Sequence, residues 1–450
     1  VYTADILTKE ERDFRVSIDL FDRYPAPFGL IRYGVAPDHP RIKGIVNALH
    51  KVMDRGDIRF LGNVDVGTTV SLEDLRRLYD VVVFTTGAVR DAELDVPGVE
   101  LEGSFGGADF ASWYDGHPDV PRDWPLDAQS VAVIGNGNVA LDVARILSKH
   151  ADDLLVTEIP DNVYRSLKAS PVTDVHVFGR RGPAQIKFTP LELRELAHSR
   201  DVDIVLYEED FDFDAASEQA IEENNQVRTM VGTLTNWLME QEDRTEQASR
   251  RLHLHFLQAP EAFLDEDGDG RLDRLRMRRM ELDGQGGITA TEDTVDYDVQ
   301  AVYRAVGYFG SPVEGVEFDD VRGVIPNAEG RVLDAQGQPV PGLYTSGWIK
   351  RGPVGLIGST KGDSLETIKH LIEDEPGLYT AQEPSEDAVL DLLAERGVEY
   401  TTWEGWHALD AHEKSLGADA TQAGPVERER VKVVDRDEMT RISRQGAGLA

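Results

Sequence analysis

The spacing of apolar residues changes several times along this chain, and each change predicts an element. Tyr2, Ala4, Ile6 and Leu7 lie among good helix formers and predict a helix. No Ser or Asp cap and no Gly or Pro turn precedes it, so it starts mid-turn. The next run, "FRVSIDLFDR" (Phe14–Arg23), alternates and then becomes apolar, which predicts a strand. A helix that feeds a strand is the second half of a βαβ unit. "YDVVVFTTGA" (Tyr79–Ala88) predicts a buried strand ending in a Thr/Gly turn. "SVAVIGNGNVALDVARIL", from Ser130, predicts strand, turn and helix. "DVHVFGRRGP" (Asp174–Pro183) predicts another strand, and "GLYTSGWIKRGPVGLIGSTKGDSLETIKHLI", from Gly342, predicts strand, Gly-rich loop and helix. Two acidic stretches, near Glu208–Asn225 and Asp265–Asp273, read as irregular. The tail from about Glu375 reads as helical, then polar and peripheral. Repeated βαβ units argue for an α/β fold with parallel sheets.

Composition narrows the picture. The 450 residues allow two or three domains with ample core, and 40% of them are apolar. No apolar run is long enough for a transmembrane helix. Cysteine is absent, which removes disulfides, thiolate nucleophiles, CxxC redox pairs and Cys-ligated clusters within the chain, and suits a cytoplasmic setting. The 83 acidic and 47 basic residues give a net charge of −36, which repels nucleic acid and anionic membranes. An anionic ligand therefore needs a local cluster of cations.

Candidate chemistry follows. After the strand Val131–Ile134, Gly135, Gly137 and Ala140 form G-x-G-x-x-A and open a helix. The first Gly permits the turn, the second lets a diphosphate approach, and the small third residue lets helix and strand pack closely. The helix N-terminus then favours the anion. On that helix Asn138, Asp142 and Arg145 form one polar stripe, a candidate cleft face or merely a face packed on polar loops. Where an NAD-specific fold carries an acid for the ribose diol, Arg180 and Arg181 suit a 2′-phosphate, so the dinucleotide expected is NADP(H). "DEDGDGRLD" (Asp265–Asp273) imitates an EF-hand start but has Arg276 at the twelfth position, so a hairpin turn is expected there instead of a cation site. The 11 His residues show no metal-ligand spacing, and nucleophile elbows and P-loops are missing. "YPAPFGLIRYGVAPDHP" (Tyr24–Pro40) is a rigid loop after a strand ending in Asp22, which is placed to bond a ribose.

Together "YPAPFGLIRYGVAPDHPRIK", "VAVIGNGNVALDVARIL", "VFGRRGPAQIKFTPLELREL" and "GWIKRGPVGLIG" resemble the adrenodoxin reductase type of ferredoxin–NADP⁺ reductase, in its bacterial form. The resemblance runs from the first residues into the tail. It implies two Rossmann-like, doubly wound, three-layer nucleotide-binding domains, one of them discontinuous. An FAD-binding domain would take residues 1–125 and resume at 341–450, where the tail joins it. An NADP-binding domain would take 126–340. Members begin with a strand and a G-x-G-x-x-G loop that cradles the FAD diphosphate. This chain begins at Val1, past that loop, so the expected FAD domain has a truncated start.

Residue by residue, the resemblance implies that Asp22 holds the FAD ribose and that Leu30 and Val66 line the flavin site. Trp348, Gly355, Leu356 and Ile357 would lie at flavin and nicotinamide. Asn138, Val139, Ala140 and Leu141 would hold the NADP phosphates, Arg180 and Arg181 the 2′-phosphate, and Glu192 a further NADP contact. His39 and Asp142 would be a polar pair serving electron or proton transfer. No metal is expected. The implied activity takes hydride from NADPH to FAD and passes single electrons to a ferredoxin. The alternative is a non-catalytic flavoprotein subunit or regulator of the same fold. Ferredoxin docking is expected at the cations of Ile349–Pro353 with Arg32, in preference to Arg271–Met280.

Overall fold

The structure is a computed structural model that describes residues 1–355, 360–424 and 426–449. The chain divides into two compact units. The first comprises Val1–Arg90, Asp115–Asp119 and Gly307–Ala450, and the second Asp91–Tyr114 and Val120–Val306.

The second unit is built on a six-stranded sheet. Its order is Ser104–Gly106, Ala301–Arg304, Ser130–Ile134, Asp174–Phe178, Arg250–His255 and Val202–Val205, and all five pairings are parallel. The continuous apolar run Val131–Ile134 reflects this, because a central parallel strand is covered on both faces. Those four residues are all at most 3% exposed. An antiparallel sheet of Gln258–Leu264, Arg274–Leu282 and Ile288–Asp298 belongs to the same unit. The acidic stretch Asp265–Asp273 is the turn of its first hairpin, as expected. The Asp265 carboxylate accepts backbone N–H bonds from Gly268, Asp269 and Gly270, so its oxygens serve the turn. The other acidic stretch is more ordered than its composition suggests. It holds the short helix Glu208–Phe211 and the helix Ala215–Glu223. Asp210 is buried there, where it accepts from the backbone N–H of Phe256 and pairs with Arg279.

In the first unit the opening helix Tyr2–Lys9 forms as the apolar spacing predicts. The strand expected over Phe14–Arg23 shrinks to Asp19–Phe21, paired in parallel with Arg59–Leu61. A second parallel pair, Val82–Phe84 with Leu343–Thr345, belongs to a four-stranded sheet. Between these pairs lies a cavity of about 550 Å³, lined by Ser17, Ile18 and Leu20 on one side and by Val81, Val83 and Thr85 on the other. Phe14–Ser17 line it without a partner strand among the described residues, which is why the alternating pattern there does not become sheet.

The tail is not peripheral. Trp403, Trp406 and Leu409 of the helix Trp403–Ala423 and Met439 of the helix Arg436–Gly446 pack with Ala26, Met53 and Phe60 in one core cluster. Some of its polar residues face inward as ion pairs. Arg32 and Glu413, whose side chains are 4% and 0% exposed, pair with each other, and Lys432 reaches Asp115.

Candidate functional site

In the second unit, the strand Ser130–Ile134 ends at Gly135 and the helix Asn138–Ser148 begins with no side-chain cap. The two glycines of the turn differ. Gly135 sits at φ +141°, and a Cβ there would come within 2.3 Å of the Ala305 carbonyl oxygen, so the protein itself demands glycine. Gly137 has ordinary φ, and a Cβ there would meet nothing within 4 Å. The protein gives no reason for glycine at 137, whereas a diphosphate lying on the turn would. Uncapped N–H groups together with a cradle that a Cβ would fill fit an anionic dinucleotide. We expect Gly137→Ala to leave the urea midpoint nearly unchanged and to weaken NADP⁺ binding. Gly135→Ala should lower both. Equal binding by Gly137→Ala and the parent would show that no ligand lies on the turn.

The predicted residues divide by depth. Asn138 and Val139 are half-buried. Ala140 and Leu141 are fully buried, so they can offer a ligand only backbone. The Asn138 side-chain oxygen accepts the N–H of Thr189 at 3.1 Å. Asp142 pairs with Arg145 at 2.9 Å, so the polar stripe is partly an internal ion pair, with Arg145 at 1% exposure. Glu192 is buried and accepts from the Thr189 hydroxyl. Arg180 is exposed and Arg181 half-buried, just past the end of Asp174–Phe178, and neither forms an ion pair among the described residues. Other arginines of this unit do: Arg251 with Asp174, Arg274 with Glu266, Arg276 with Asp296 and Arg278 with Glu261. Asn136 ties the turn to the arginine loop, because its side chain lies 3.1 Å from where a Cβ of Gly179 would be.

In the first unit the predicted residues stand at or beyond the carboxyl ends of the parallel strands, where open α/β sheets bind ligands. Asp22 follows Asp19–Phe21, and its carboxylate accepts the Tyr24 N–H at 2.9 Å. Val66 follows Arg59–Leu61 and packs against two core clusters. Leu30 lies on the short helix Gly29–Tyr33, entered through Phe28 at φ +83°. His39 is 3% exposed and caps the turn Pro40–Lys43 through its backbone. Trp348 opens the helix Trp348–Arg351 after the strand Pro339–Thr345. Its indole N–H is buried with no hydrogen-bond partner among the described residues, and Gly347 before it has open space beside it. A buried donor without a partner is costly and fits a polar ring ligand such as a flavin. Gly355 is exposed, while Leu356 and Ile357 lie outside the described residues.

Burial pushes the Asp22 carboxyl up to about 7, against the opposing Tyr24 hydrogen bond. A carboxyl whose pKa rises on folding stabilises the fold fully below its unfolded pKa, and that contribution is lost as the pH rises through the folded value. The Asp22 contribution should therefore fall between about pH 4 and pH 7, and Asp22→Asn should remove that component from the slope of urea midpoints across the range. An unchanged slope would place the pH dependence elsewhere.

The expected docking cations are corrected. Arg32 is bound in its buried pair with Glu413, Lys350 is 7% exposed and held by Glu366, and Arg351 pairs with Asp363. Arg271–Met280 is likewise neutralised along its strand. Neighbouring carboxylates use up these charges, and sequence spacing could not reveal that.

A histidine cluster was also missed. The parallel register sets His176 beside His253 with rings stacked at 4.2 Å, and His176 Nδ1 lies 3.0 Å from His255 Nε2. The three are close enough to share a cation. Burial, however, holds His176 down to about 3 and His255 to about 2, and the nitrogens of His253 already face Asp174 and the Tyr207 hydroxyl. This is a neutral hydrogen-bonded ladder.

No family model matches the chain. It is 38% identical over 444 residues to NADPH-ferredoxin reductase FprA of Mycobacterium tuberculosis, covering 96% of this chain and 93% of that one. It is 35% identical over 429 residues to the mitochondrial NADPH:adrenodoxin oxidoreductase of Arabidopsis thaliana, covering 92% and 88%. The solved structure of Mycobacterium tuberculosis FprA in complex with NADPH matches with a TM-score of 0.85 at 36% identity, over 98% of this chain and 96% of that one.

Proposed function

The chain belongs to the adrenodoxin reductase-type family of NADPH–ferredoxin reductases, and on that footing we propose that it is an FAD-dependent oxidoreductase taking hydride from NADPH and delivering single electrons to a ferredoxin. The observation that carries the reading on this chain's own residues is the Gly135–Asn138 turn with Arg180 and Arg181 past the adjacent strand. When bound, FAD supplies the conversion between two-electron and one-electron transfer. The protein's share is to bind, orient and exclude water. Asn138 and the turn hold the dinucleotide phosphates, and the two arginines its 2′-phosphate. Asp22 holds the flavin ribose, and Trp348 offers its buried indole N–H to the flavin. Leu30 and Val66 line that site with apolar surface, and Glu192 fixes the Thr189 turn beside the nucleotide. No helix among the described residues is long and apolar enough to cross a membrane. We place the protein in the cytoplasm, which cell fractionation would test.

The test is the visible spectrum of the purified protein before and after NADPH, followed by ferredoxin reduction. Flavin bands that bleach, with steady ferredoxin turnover, are expected. Bleaching without turnover would favour a regulatory flavoprotein, and a spectrum without flavin would end the reading.

His39 and Asp142 are assigned to electron or proton transfer. His39→Ala and Asp142→Asn should each lower turnover about tenfold or more. Asp142→Asn should also cost some stability, because Arg145 loses its charged partner. Urea midpoints measured beside turnover separate the two effects, and unchanged turnover in both variants would return these residues to packing roles.

A further inference from the structure

We propose that Lys187 is a further dinucleotide contact, gripping the diphosphate that lies on the Gly135–Asn138 turn; this rests on the NADPH reading above. The segment that carries it is stitched to that turn at two points. The Lys187 backbone N–H donates to the Asn136 carbonyl at 3.3 Å, and two residues later the Thr189 N–H donates to the Asn138 side chain at 3.1 Å. Lys187 is therefore held beside the turn as a fixed neighbour, not as a passing surface residue. Its flanks are anchored in the core, since Ile186 is 9% and Phe188 1% exposed, while Lys187 itself is exposed.

Charge sets it apart as well. The chain carries −36, and many cations of this unit are matched by carboxylates. The Lys187 ammonium has no acidic partner among the described residues, and Arg180 and Arg181 share that condition. These three cations border one loop. The arginines approach it through Gly179, which packs on Asn136, and Lys187 through the Asn136 carbonyl. A lysine is a compact point charge on a flexible stem, suited to a diphosphate, whereas the planar arginine fork suits a terminal phosphate. The arginines thus distinguish NADP(H) from NAD(H), and Lys187 strengthens the hold on whichever dinucleotide is bound.

The experiment is calorimetric binding of NADP⁺ and NAD⁺ to the parent protein, to Lys187→Gln, to Lys187→Arg, and to the double variant Arg180→Ala, Arg181→Ala. Lys187→Gln is expected to weaken both dinucleotides by the same factor, about three- to tenfold, and to flatten the salt dependence of binding. Lys187→Arg should keep most of the affinity. The double arginine variant should weaken NADP⁺ alone. If Lys187→Gln binds both dinucleotides as the parent does while the double variant loses NADP⁺, the Lys187 assignment is overturned and the cofactor reading stands. If Lys187→Gln weakens NADP⁺ only, its ammonium serves the 2′-phosphate and the diphosphate assignment is overturned. If neither variant changes binding, the cofactor reading fails too.

Discussion

Replacing Arg180 and Arg181 together by alanine should raise the KM for NADPH by about a hundredfold or more and leave the KM for NADH nearly unchanged. A charge-assisted hydrogen bond contributes about 1.5–3 kcal/mol, and two of them about 3–6 kcal/mol, with each 1.4 kcal/mol worth a factor of ten. The effect should reach at least the lower end of that range because neither arginine spends its charge on a carboxylate of its own chain among the described residues, unlike Arg251 or Arg276. Both follow the end of a buried parallel strand, where the backbone is held by the N–H of Gly179 on the His255 carbonyl and by the N–H of Leu257 on the Arg181 carbonyl. Loss of the side chains should therefore leave the loop in place. Steady-state rates with each dinucleotide and a small dye as acceptor read the outcome. A variant that loses NADPH and NADH alike would mean that the arginines support the fold or the shared part of the ligand.

The largest stability effect is expected at Glu413. Glu413→Gln should destabilise the protein by about 3–5 kcal/mol, the usual consequence of leaving a buried charge without its partner. The Glu413 carboxylate accepts from Arg32 at 3.1 Å, from Arg430 and from the backbone N–H of Val433, with no exposure of its own. Arg32 also lies over the Trp406 ring at 5.3 Å. The pair thus joins the loop after the first strand to the C-terminal helices. Urea unfolding followed by tryptophan fluorescence measures the loss. Replacing both partners at once, Arg32→Met with Glu413→Leu, should recover part of it, because the buried Arg32 charge is then gone while Arg430 and the Val433 N–H still lose an acceptor. A loss below about 1 kcal/mol for the single variant would show that water reaches the pair.

How much of this was legible in the sequence depends on how local each feature is. The run Val131–Ile134 and the glycines after it specify strand, turn and helix by themselves, since backbone sterics and apolar continuity act within a few residues. The residues proposed for the nucleotide could be picked out for the same reason: Gly135, Gly137, Ala140, Arg180 and Arg181 all lie in the turns and the helix start that follow recognisable strands. The α/β class and the family followed from such segments, and so did the hairpin turn at Asp265–Asp273, whose carboxylates bond their own backbone.

Tertiary structure decided what depends on partners far along the chain. Strand formation needs a neighbour, so Phe14–Ser17, with the right pattern, stayed outside the sheets. A polar tail reads as peripheral until its charges find partners. Arg32 with Glu413 and Lys432 with Asp115 are separated by hundreds of residues, yet they turn that tail into core. The same pairing occupies Arg32, Lys350 and Arg351, which the sequence offered as docking cations, because a cation's availability depends on which carboxylate folds against it. The difference between the two glycines of the turn was equally hidden. Sequence supplied both, but only the packed structure shows Gly135 pressed by the Ala305 carbonyl and Gly137 facing open space. Local sterics are written in adjacent residues, whereas burial, pairing and free volume arise only when distant segments meet.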